Sequence, residues 1–257
     1  MYTVRAFNGG TFWVPGPEVY WMNRWGTLEE MNTLIFLVQG GGCNILINTG
    51  PPLDLSVLND AWLKFFGYPE AQIARSEDQL PENILRAQGL APSDISTVIV
   101  TPLQAYATAN IPMFRNAEIC ISRKGWIEDF QAPYYHLHVP RHLRVPPEVN
   151  HYLQNEGWEK LRLLDDEEEI LPGIRVFWAG VHHRSSMAVC IETTKGTALI
   201  TDSFFKYGNI EQGYYLGVME SMMEADATWR RIRKEGTLIA SIYDPEVFCR
   251  YPGGLLA

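Results

Sequence analysis

The chain has 257 residues, of which 46% are hydrophobic and 20% are charged, a composition typical of an ordinary globular protein. Its formal net charge of −9 at pH 7 argues against nucleic-acid and anionic-membrane partners, because both bind basic surfaces. The sequence has neither an apolar run of about 20 residues for a membrane span nor an apolar signal segment. Its four cysteines form no CxxC pair, so we expect a reduced cytoplasmic protein without a zinc knuckle.

The first half of the sequence alternates strand-like and helix-like segments. Apolar β-branched runs on both sides of three glycines, Gly40 to Gly42, predict a hairpin. A capping box from Ser76 to Gln79 precedes the second of the helices that apolar spacing predicts. The predicted strands cover residues 33–38, 44–48, 96–101 and 117–122, and the predicted helices cover residues 56–66, 79–88 and 124–130.

The second half resumes this alternation after an irregular stretch. Residues 131–150 are rich in proline, histidine and aromatic side chains without a clear period, and the acidic run 165–169 is predicted to be a solvated turn. The predicted strands cover residues 173–178, 188–192, 198–201 and 237–242, and a helix covers about 211–234. Two halves, about 1–130 and 166–257 around an insertion at about 131–165, predict one internally duplicated α/β sandwich domain.

Five segments together resemble the metallo-β-lactamase fold, and in particular its branch of acyl-homoserine-lactonase-like hydrolases. In chain order they read NILINTGP, EDQLPENILRAQGLAPSDISTVIVT, TPLQAYATAN, VHHRSSMAVCIETTKGTALITDS and ASIYDPEV. Each segment alone says little, whereas the five in order at compatible spacing, over about residues 33–245, indicate the fold. The resemblance implies a four-layer αβ/βα sandwich with internal pseudo-duplication and an active site at one end of the sheet.

The same resemblance implies two close metal ions, held by histidine and carboxylate side chains, that activate a bridging water. The seven ligand positions of the family fall here on Pro102, Gln104, Tyr106, Ala107, His182, Asp202 and Tyr243. Only His182 and Asp202 keep the family's ligand type, and the supporting aspartate of the first segment is Asn48. Two ligands are too few for a tight zinc site, so we expect no tightly bound metal, with one weakly held zinc or iron as the alternative.

The loop that carries His182 also offers catalytic groups that need no metal. His182 is a candidate general base, Asp202 a candidate partner that orients it, and Tyr243 a third candidate catalytic residue. Ser185 or Ser186 would then be the nucleophile. The alternative interpretation is a histidine–aspartate hydrogen bond that only stabilises two loops.

A predicted pocket surrounds these groups. Its candidate residues are Asn48, Gln104, Tyr106, His183 and Arg184, and the arginine would pair with a carboxylate of the ligand. Aromatic side chains elsewhere are candidates for the pocket wall or a dimer contact, with core packing as the alternative. They are Phe12, Trp13, Tyr20, Trp21, Trp25, Tyr134 and Tyr135.

Three histidines in the irregular stretch have metal-like spacing. They are His136, His138 and His142, but Pro140 excludes a regular helix that would present them on one face. We therefore expect a lid or interface segment rather than a metal site.

Two functional hypotheses follow from these residues. The first is a protein of this fold that has largely lost its metal site and binds a small molecule, aromatic or lactone-like, or acts as a metal-poor hydrolase. The alternative is a hydrolase of lactone or ester substrates that uses a reduced site around His182 and Asp202. A non-catalytic subunit of an active paralogue is a weaker alternative, and a homodimer stays open.

Overall fold

The computed structural model describes residues 1–131 and 141–257. The strands are β1 (Tyr2–Pro15), β2 (Leu28–Gly40), β3 (Cys43–Ile47), β4 (Thr97–Ile99), β5 (Glu118–Ser122), β6 (Leu161–Leu164), β7 (Glu167–Leu171), β8 (Ile174–Trp178), β9 (Met187–Thr193), β10 (Gly196–Thr201) and β11 (Leu238–Ser241). The helices are α1 (Gly16–Val19), α2 (Ser56–Phe66), α3 (Pro81–Ala87), α4 (Ala105–Thr108), α5 (Arg123–Gly125), α6 (Arg141–Arg144), α7 (Pro147–Gln154), α8 (Tyr207–Gln212), α9 (Met222–Glu235) and α10 (Val247–Arg250).

The structure also contains short 3-10 helices and one π-helix. Turns of 3-10 helix lie at Pro69–Ala71, Glu77–Gln79, Pro92–Asp94, Ile111–Met113, Trp158–Lys160 and Pro252–Gly254, and a π-helical segment covers Trp126–Gln131. In the part of the chain that the structure describes, no helix is both long and apolar enough to cross a membrane.

The strands form one continuous 11-stranded sheet with two parts that meet at one residue pair. Strands β1 to β6 follow one another in the first part, with β3, β4, β5 and β6 mutually parallel. Strands β7 to β11 follow one another in the second part, where β10 and β11 are parallel. Tyr2 of β1 pairs with Thr193 of β9 and joins the two parts. Each half of the sequence thus contributes most of one part, and each part serves as one sheet layer.

Alternating side chains on β2 and β3 pack into two different hydrophobic cores, because successive residues of a strand point to opposite faces. Ile35 and Leu46 join an outer cluster with Ile84 of α3 and Leu153 of α7. Phe36, next to Ile35, joins the larger cluster shared with β9, β10 and α9. Helix α9 packs on β10 of the second part of the sheet. The layers therefore run helix, sheet, sheet, helix, as the four-layer prediction requires.

Several predicted elements match the structure closely. Helix α2 has the predicted bounds, and the predicted capping box forms, with the Ser76 backbone N–H donating to Oε1 of Gln79 at 2.8 Å. The box caps the turn Glu77–Gln79 rather than α3 itself, because the chain re-enters helix only at Pro81. The hairpin around Gly40 to Gly42 is formed by β2 and β3.

Three predicted elements were wrong. The single helix at 211–234 is two helices, because Gly213 adopts a left-handed φ of 76° that ends α8, and Ser221 caps a new helix. The acidic run 165–169 contains the start of β7, whose Glu167 pairs with Phe177. The stretch 131–150 contains α6 and the start of α7. The domain boundaries stay a prediction.

Candidate ligand-binding site

A cavity of about 890 Å³ opens at the edge where β4, β10 and β11 end. Strand β9 is antiparallel to β10, so the loop that enters β9 reaches the same edge. Most of the cavity lining is aromatic or aliphatic, and its aromatic members are Phe12, Trp62, Phe65, Phe66, Tyr106, Phe205 and Tyr243. A concave, mainly apolar site with a few polar groups is the usual form of a small-molecule pocket.

Asn48 positions the loop of the cavity floor rather than lining the cavity. Its Nδ2 donates to the carbonyl oxygen of Thr101 at 2.7 Å, and its Oδ1 accepts from the Thr101 N–H at 2.8 Å. The residue is buried and has a φ of 64°, a left-handed conformation that asparagine tolerates. The predicted contact of Asn48 with a ligand is therefore replaced by a positioning role.

Asp202 is fully buried and bound by two hydroxyl groups. Thr101 Oγ1 donates to Oδ1 at 2.5 Å, and Ser186 Oγ donates to Oδ2 at 2.5 Å. Burial raises the pKa of Asp202 to about 7, while these two hydrogen bonds oppose the rise. In the described structure the aspartate therefore joins the loop after β4 to the loop before β9.

His182 makes other contacts than the predicted one with Asp202. Its Nδ1 lies 3.1 Å from the carbonyl oxygen of Val218 and donates to it, which leaves the lone pair of a neutral ring on Nε2. Its ring packs edge-on against Phe205, with centroids 4.6 Å apart. Among the described contacts, no hydrogen bond joins His182 to Asp202. The His182–Asp202 dyad is thus not assembled in this conformation.

The remaining residues of this loop have structural partners. Arg184 donates to Glu128 at 2.9 Å and to Glu224 at 2.8 Å. The arginine was predicted to pair with a carboxylate of the ligand, but it pairs with these two carboxylates of the protein. Ser185 is buried, and its Oγ accepts from the Leu103 N–H at 3.0 Å. Neither Ser185 nor Ser186, which is held by Asp202, is exposed to the cavity as a nucleophile.

Three polar side chains at positions that the resemblance assigns to metal ligands do face the cavity. The hydroxyls of Tyr106 and Tyr243 lie 2.8 Å apart and bind each other. Gln104 is 4% exposed, and within the described residues its Nε2 has no hydrogen-bond partner. Such a group is costly unless a ligand or water satisfies it. The structure therefore brings Gln104, Tyr106 and Tyr243 together, with His182 and His183 on the same cavity.

The described donors do not fit a two-metal centre. Both Asp202 oxygens accept hydroxyl hydrogens, the Tyr106 and Tyr243 hydroxyls pair, and His182 Nδ1 is directed at a carbonyl. Over residues 1–131 and 141–257, no group of three or more histidine, cysteine, aspartate or glutamate side chains is placed to hold a metal. A structural zinc site needs four protein ligands and a catalytic one at least three. The metal content remains a prediction for direct analysis.

The other predicted residues are scattered. Phe12 and His142 line the cavity, whereas Trp21 and Trp25 are exposed at 50% and 69%. Tyr20 is buried against Tyr214, and Trp13 is partly buried in β1. His136, His138, Tyr134 and Tyr135 lie outside the described residues, so the prediction of a lid there is not addressed by the structure.

Sequence reasoning missed Glu18, which lies on the cavity wall in α1. Burial raises the pKa of its carboxyl to about 7. Its side chain has neither a hydrogen bond nor an ion pair to any residue in the described ranges. The only available signal was its position after the apolar residues of β1, which does not reveal a cavity without the tertiary structure.

Replacing Glu18 by glutamine should change the pH dependence of stability. Between the ordinary pKa of 4.5 and about 7, the folded carboxyl keeps a proton that the unfolded one has released. Raising the pH from about 4.5 to about 7 therefore destabilises the unmodified chain but not the variant. The free energy of unfolding of Glu18→Gln minus that of the unmodified chain should therefore be about 2 kcal/mol larger at pH 8 than at pH 5. This figure allows for the partial exposure of the carboxyl.

Urea unfolding at the two pH values measures this difference. The exposed Glu70→Gln is the matched control and should show no such gain. A difference between Glu18→Gln and the unmodified chain that stays constant with pH would refute the raised pKa.

No established family profile matches the chain. The chain is 25% identical over 219 residues to N-acyl homoserine lactonase AiiB of Agrobacterium fabrum (strain C58), an alignment that covers 80% of this chain and 76% of the relative. The AiiB lactonase of Rhizobium rhizogenes (strain K84) matches to the same extent.

Solved structures match over nearly the whole chain. An N-acyl homoserine lactone hydrolase, with the product N-hexanoyl-L-homoserine bound at its catalytic metal centre, is 20% identical with a TM-score of 0.76, over 96% of this chain and 95% of that one. AidC, a dizinc quorum-quenching lactonase, is 16% identical with a TM-score of 0.67, over 99% and 89%. The hydrolase AbOPH of the β-lactamase superfamily is 14% identical with a TM-score of 0.69, over 99% and 89%. These likenesses confirm the predicted fold class.

Proposed function

From the metallo-β-lactamase fold of this chain and the chemistry of its cavity, we propose that it binds a small, mainly apolar ligand with a carbonyl group, at a site whose two-metal centre is largely lost. One observation carries the proposal. Gln104 lies at a ligand position of the family, faces the cavity and is buried, and its Nε2 has no acceptor among the described residues.

The cavity wall favours an apolar chain or ring on the same ligand. The rings of Phe12 and Trp62 pack with centroids 4.9 Å apart, and the rings of Trp62 and Tyr106 pack with centroids 6.0 Å apart. Burial of a ligand against such surfaces contributes roughly 25 cal/mol per Å² of apolar area. A carbonyl at Gln104 would orient the ligand, while the aromatic wall would supply most of the binding energy.

The protein's own groups define what this site does. The Gln104 amide donates to the ligand carbonyl, and the Tyr106–Tyr243 pair offers a further hydroxyl beside it. Asp202 is held by Thr101 and Ser186, so in this arrangement it does not accept a proton from an attacking water. Binding without hydrolysis is the function that these contacts support best.

The relatives favour a second candidate, hydrolysis of a lactone or ester. They are N-acyl homoserine lactonases, and the chain keeps His182 and Asp202 at family ligand positions. In this alternative His182, Asp202 and Tyr243 act with a single zinc or iron, or with none, after the loop before β9 rearranges. A subunit of an active paralogue remains the third candidate.

Removing the Gln104 amide should weaken ligand binding about tenfold, because one buried hydrogen bond is lost. N-octanoyl-L-homoserine lactone is the probe, and quenching of tryptophan fluorescence reports binding, since Trp62 lines the cavity. We expect Gln104→Leu to bind it about tenfold more weakly and the exposed control Gln212→Leu to bind it unchanged. Equal affinities of Gln104→Leu and the unmodified chain would exclude the proposed orientation.

Metal analysis and a hydrolysis assay on the same protein separate the candidates. The proposed function predicts fewer than two metal ions per chain and no ring opening of the probe. Two tightly bound ions per chain would refute the loss of the metal centre. Ring opening that disappears in His182→Ala would establish the hydrolase instead.

A further inference from the structure

We propose that Glu18 makes the cavity selective for ligands that carry a cationic nitrogen, such as an ammonium group, in addition to the carbonyl. This inference rests on the proposed function, because it concerns the same cavity. It adds a charged specificity determinant, Glu18, that the resemblance does not assign to the site.

Glu18 is placed on the cavity wall by the end of β1. Phe12 and Val14 alternate inward along that strand and line the cavity, and Glu18 follows in α1 on the same wall. The Glu18 carbonyl oxygen accepts from the Gly217 N–H at 2.9 Å, which fixes its backbone against the segment that carries Val218 and Met219. The backbone that carries the Glu18 carboxyl is therefore held in place on the cavity wall and is not part of a free surface loop.

Among the described residues, no basic side chain is paired with the Glu18 carboxyl. No hydrogen bond or ion pair of its side chain is present within residues 1–131 and 141–257. Arginine and lysine side chains in this protein are otherwise commonly paired with carboxylates, as Arg24 is with Glu29 and Lys206 with Asp244. A partly buried carboxylate without such a partner is destabilised, and a bound cation would relieve that cost.

Aromatic side chains of the same wall suit a cation. Trp62 and Phe66 of α2 line the cavity with Phe12, at ring-centroid distances of 4.9 Å for Phe12–Trp62 and 6.3 Å for Trp62–Phe66. Aromatic faces attract ammonium groups, and most strongly where water is excluded. A cavity lined by both a carboxylate and aromatic rings is thus a better match to an alkylammonium than to a second neutral chain.

Other titratable groups near this wall determine the expected pH response. Lys64, Glu220 and the histidines His142, His182 and His183 line the same cavity. Burial raises the pKa of Tyr68, with a smaller contribution from Glu18. Burial is the cause of the raised pKa of Glu18, about 7, and no cation of the described chain lowers it. Preference for a cationic ligand should therefore be greatest above pH 7, where the carboxyl is ionised, and should decrease below it.

A matched pair of esters tests this selectivity without any mutation. Butyrylcholine carries a carbonyl and a quaternary ammonium, and 3,3-dimethylbutyl butanoate has the same shape without the charge. We expect the choline ester to bind about tenfold more tightly at pH 8.5 and only about twofold more tightly at pH 5.5. Titration with fluorescence detection measures both dissociation constants.

Glu18→Gln should reduce the preference at pH 8.5 to about twofold, the value expected for a neutral Glu18 carboxyl. Glu70→Gln changes an exposed carboxylate outside the cavity lining and should keep the tenfold preference. Equal binding of the two esters to the unmodified chain at pH 8.5, or a full preference in Glu18→Gln, would overturn the role of Glu18. Those outcomes leave the proposed function standing, because both esters still bind. Failure of both esters and of the lactone probe to bind would overturn the proposed function itself.

Discussion

Replacing Asp202 by alanine should lower the free energy of unfolding by about 3 kcal/mol. The substitution removes the acceptor of two buried hydroxyl groups and leaves a small cavity between two loops. Thr101 retains an alternative acceptor, the carbonyl oxygen of Met187 at 3.1 Å. Ser186 has no such alternative in the described structure, so it accounts for most of the loss.

Urea unfolding at pH 8 measures the effect under conditions where the Asp202 carboxyl, with a pKa of about 7, is mainly ionised and accepts both hydroxyl hydrogens. Asp202→Asn is the matched control, because its amide oxygen still accepts from one hydroxyl, and it should cost about half as much. The same difference is expected with and without EDTA, since the proposed role of Asp202 is structural. A loss below about 1 kcal/mol for Asp202→Ala, or a loss seen only without EDTA, would contradict this role.

Replacing Gly217 by alanine should destabilise the protein by about 2–3 kcal/mol and weaken ligand binding. A Cβ at this position would lie 2.0 Å from the carbonyl oxygen of Pro17 and 2.9 Å from the Cα of Glu18. Both neighbours are backbone atoms, so the two segments would have to separate. That movement would displace Glu18 from the cavity wall.

Gly213→Ala in the same loop is the matched control. A Cβ there meets no atom within 4 Å, and only the left-handed φ of 76° opposes it. It should cost about 1 kcal/mol and leave the affinity for N-octanoyl-L-homoserine lactone unchanged. Comparable losses of stability in both variants would show that backbone strain, rather than the contact with Pro17, determines the effect.

The elements that sequence patterns predicted well are those whose local signals agree with their packing. Helix α2 has apolar spacing and a glycine stop at Gly67, which takes a left-handed φ of 81°. Strand β1 was missed because Gly9 and Gly10 interrupt it, where its register with β2 shifts between Asn8 and Thr11. Its 14 residues are held by pairing with β2, which a local pattern does not show.

The candidate site was predicted in part for the same reason. The resemblance supplied positions, so Gln104, Tyr106 and Tyr243 were identified and do meet in one cavity. The resemblance did not reveal the hydrogen-bond partners of these residues. Asp202 was expected to bind His182, but it accepts hydrogen bonds from the hydroxyls of Thr101 and Ser186. Glu18 belongs to a wall that depends on how β1 and α2 pack.

The paired hydroxyls of Tyr106 and Tyr243 have a further consequence. Either oxygen can be the donor across their 2.8 Å separation, so one hydroxyl hydrogen is used between the rings and the other is not. Exchanging the two roles requires only rotation about C–O bonds and moves the unused hydrogen from one ring to the other. The cavity can therefore reverse its local polarity for ligands that place a donor or an acceptor at this point, while every carbon, nitrogen and oxygen atom stays in place.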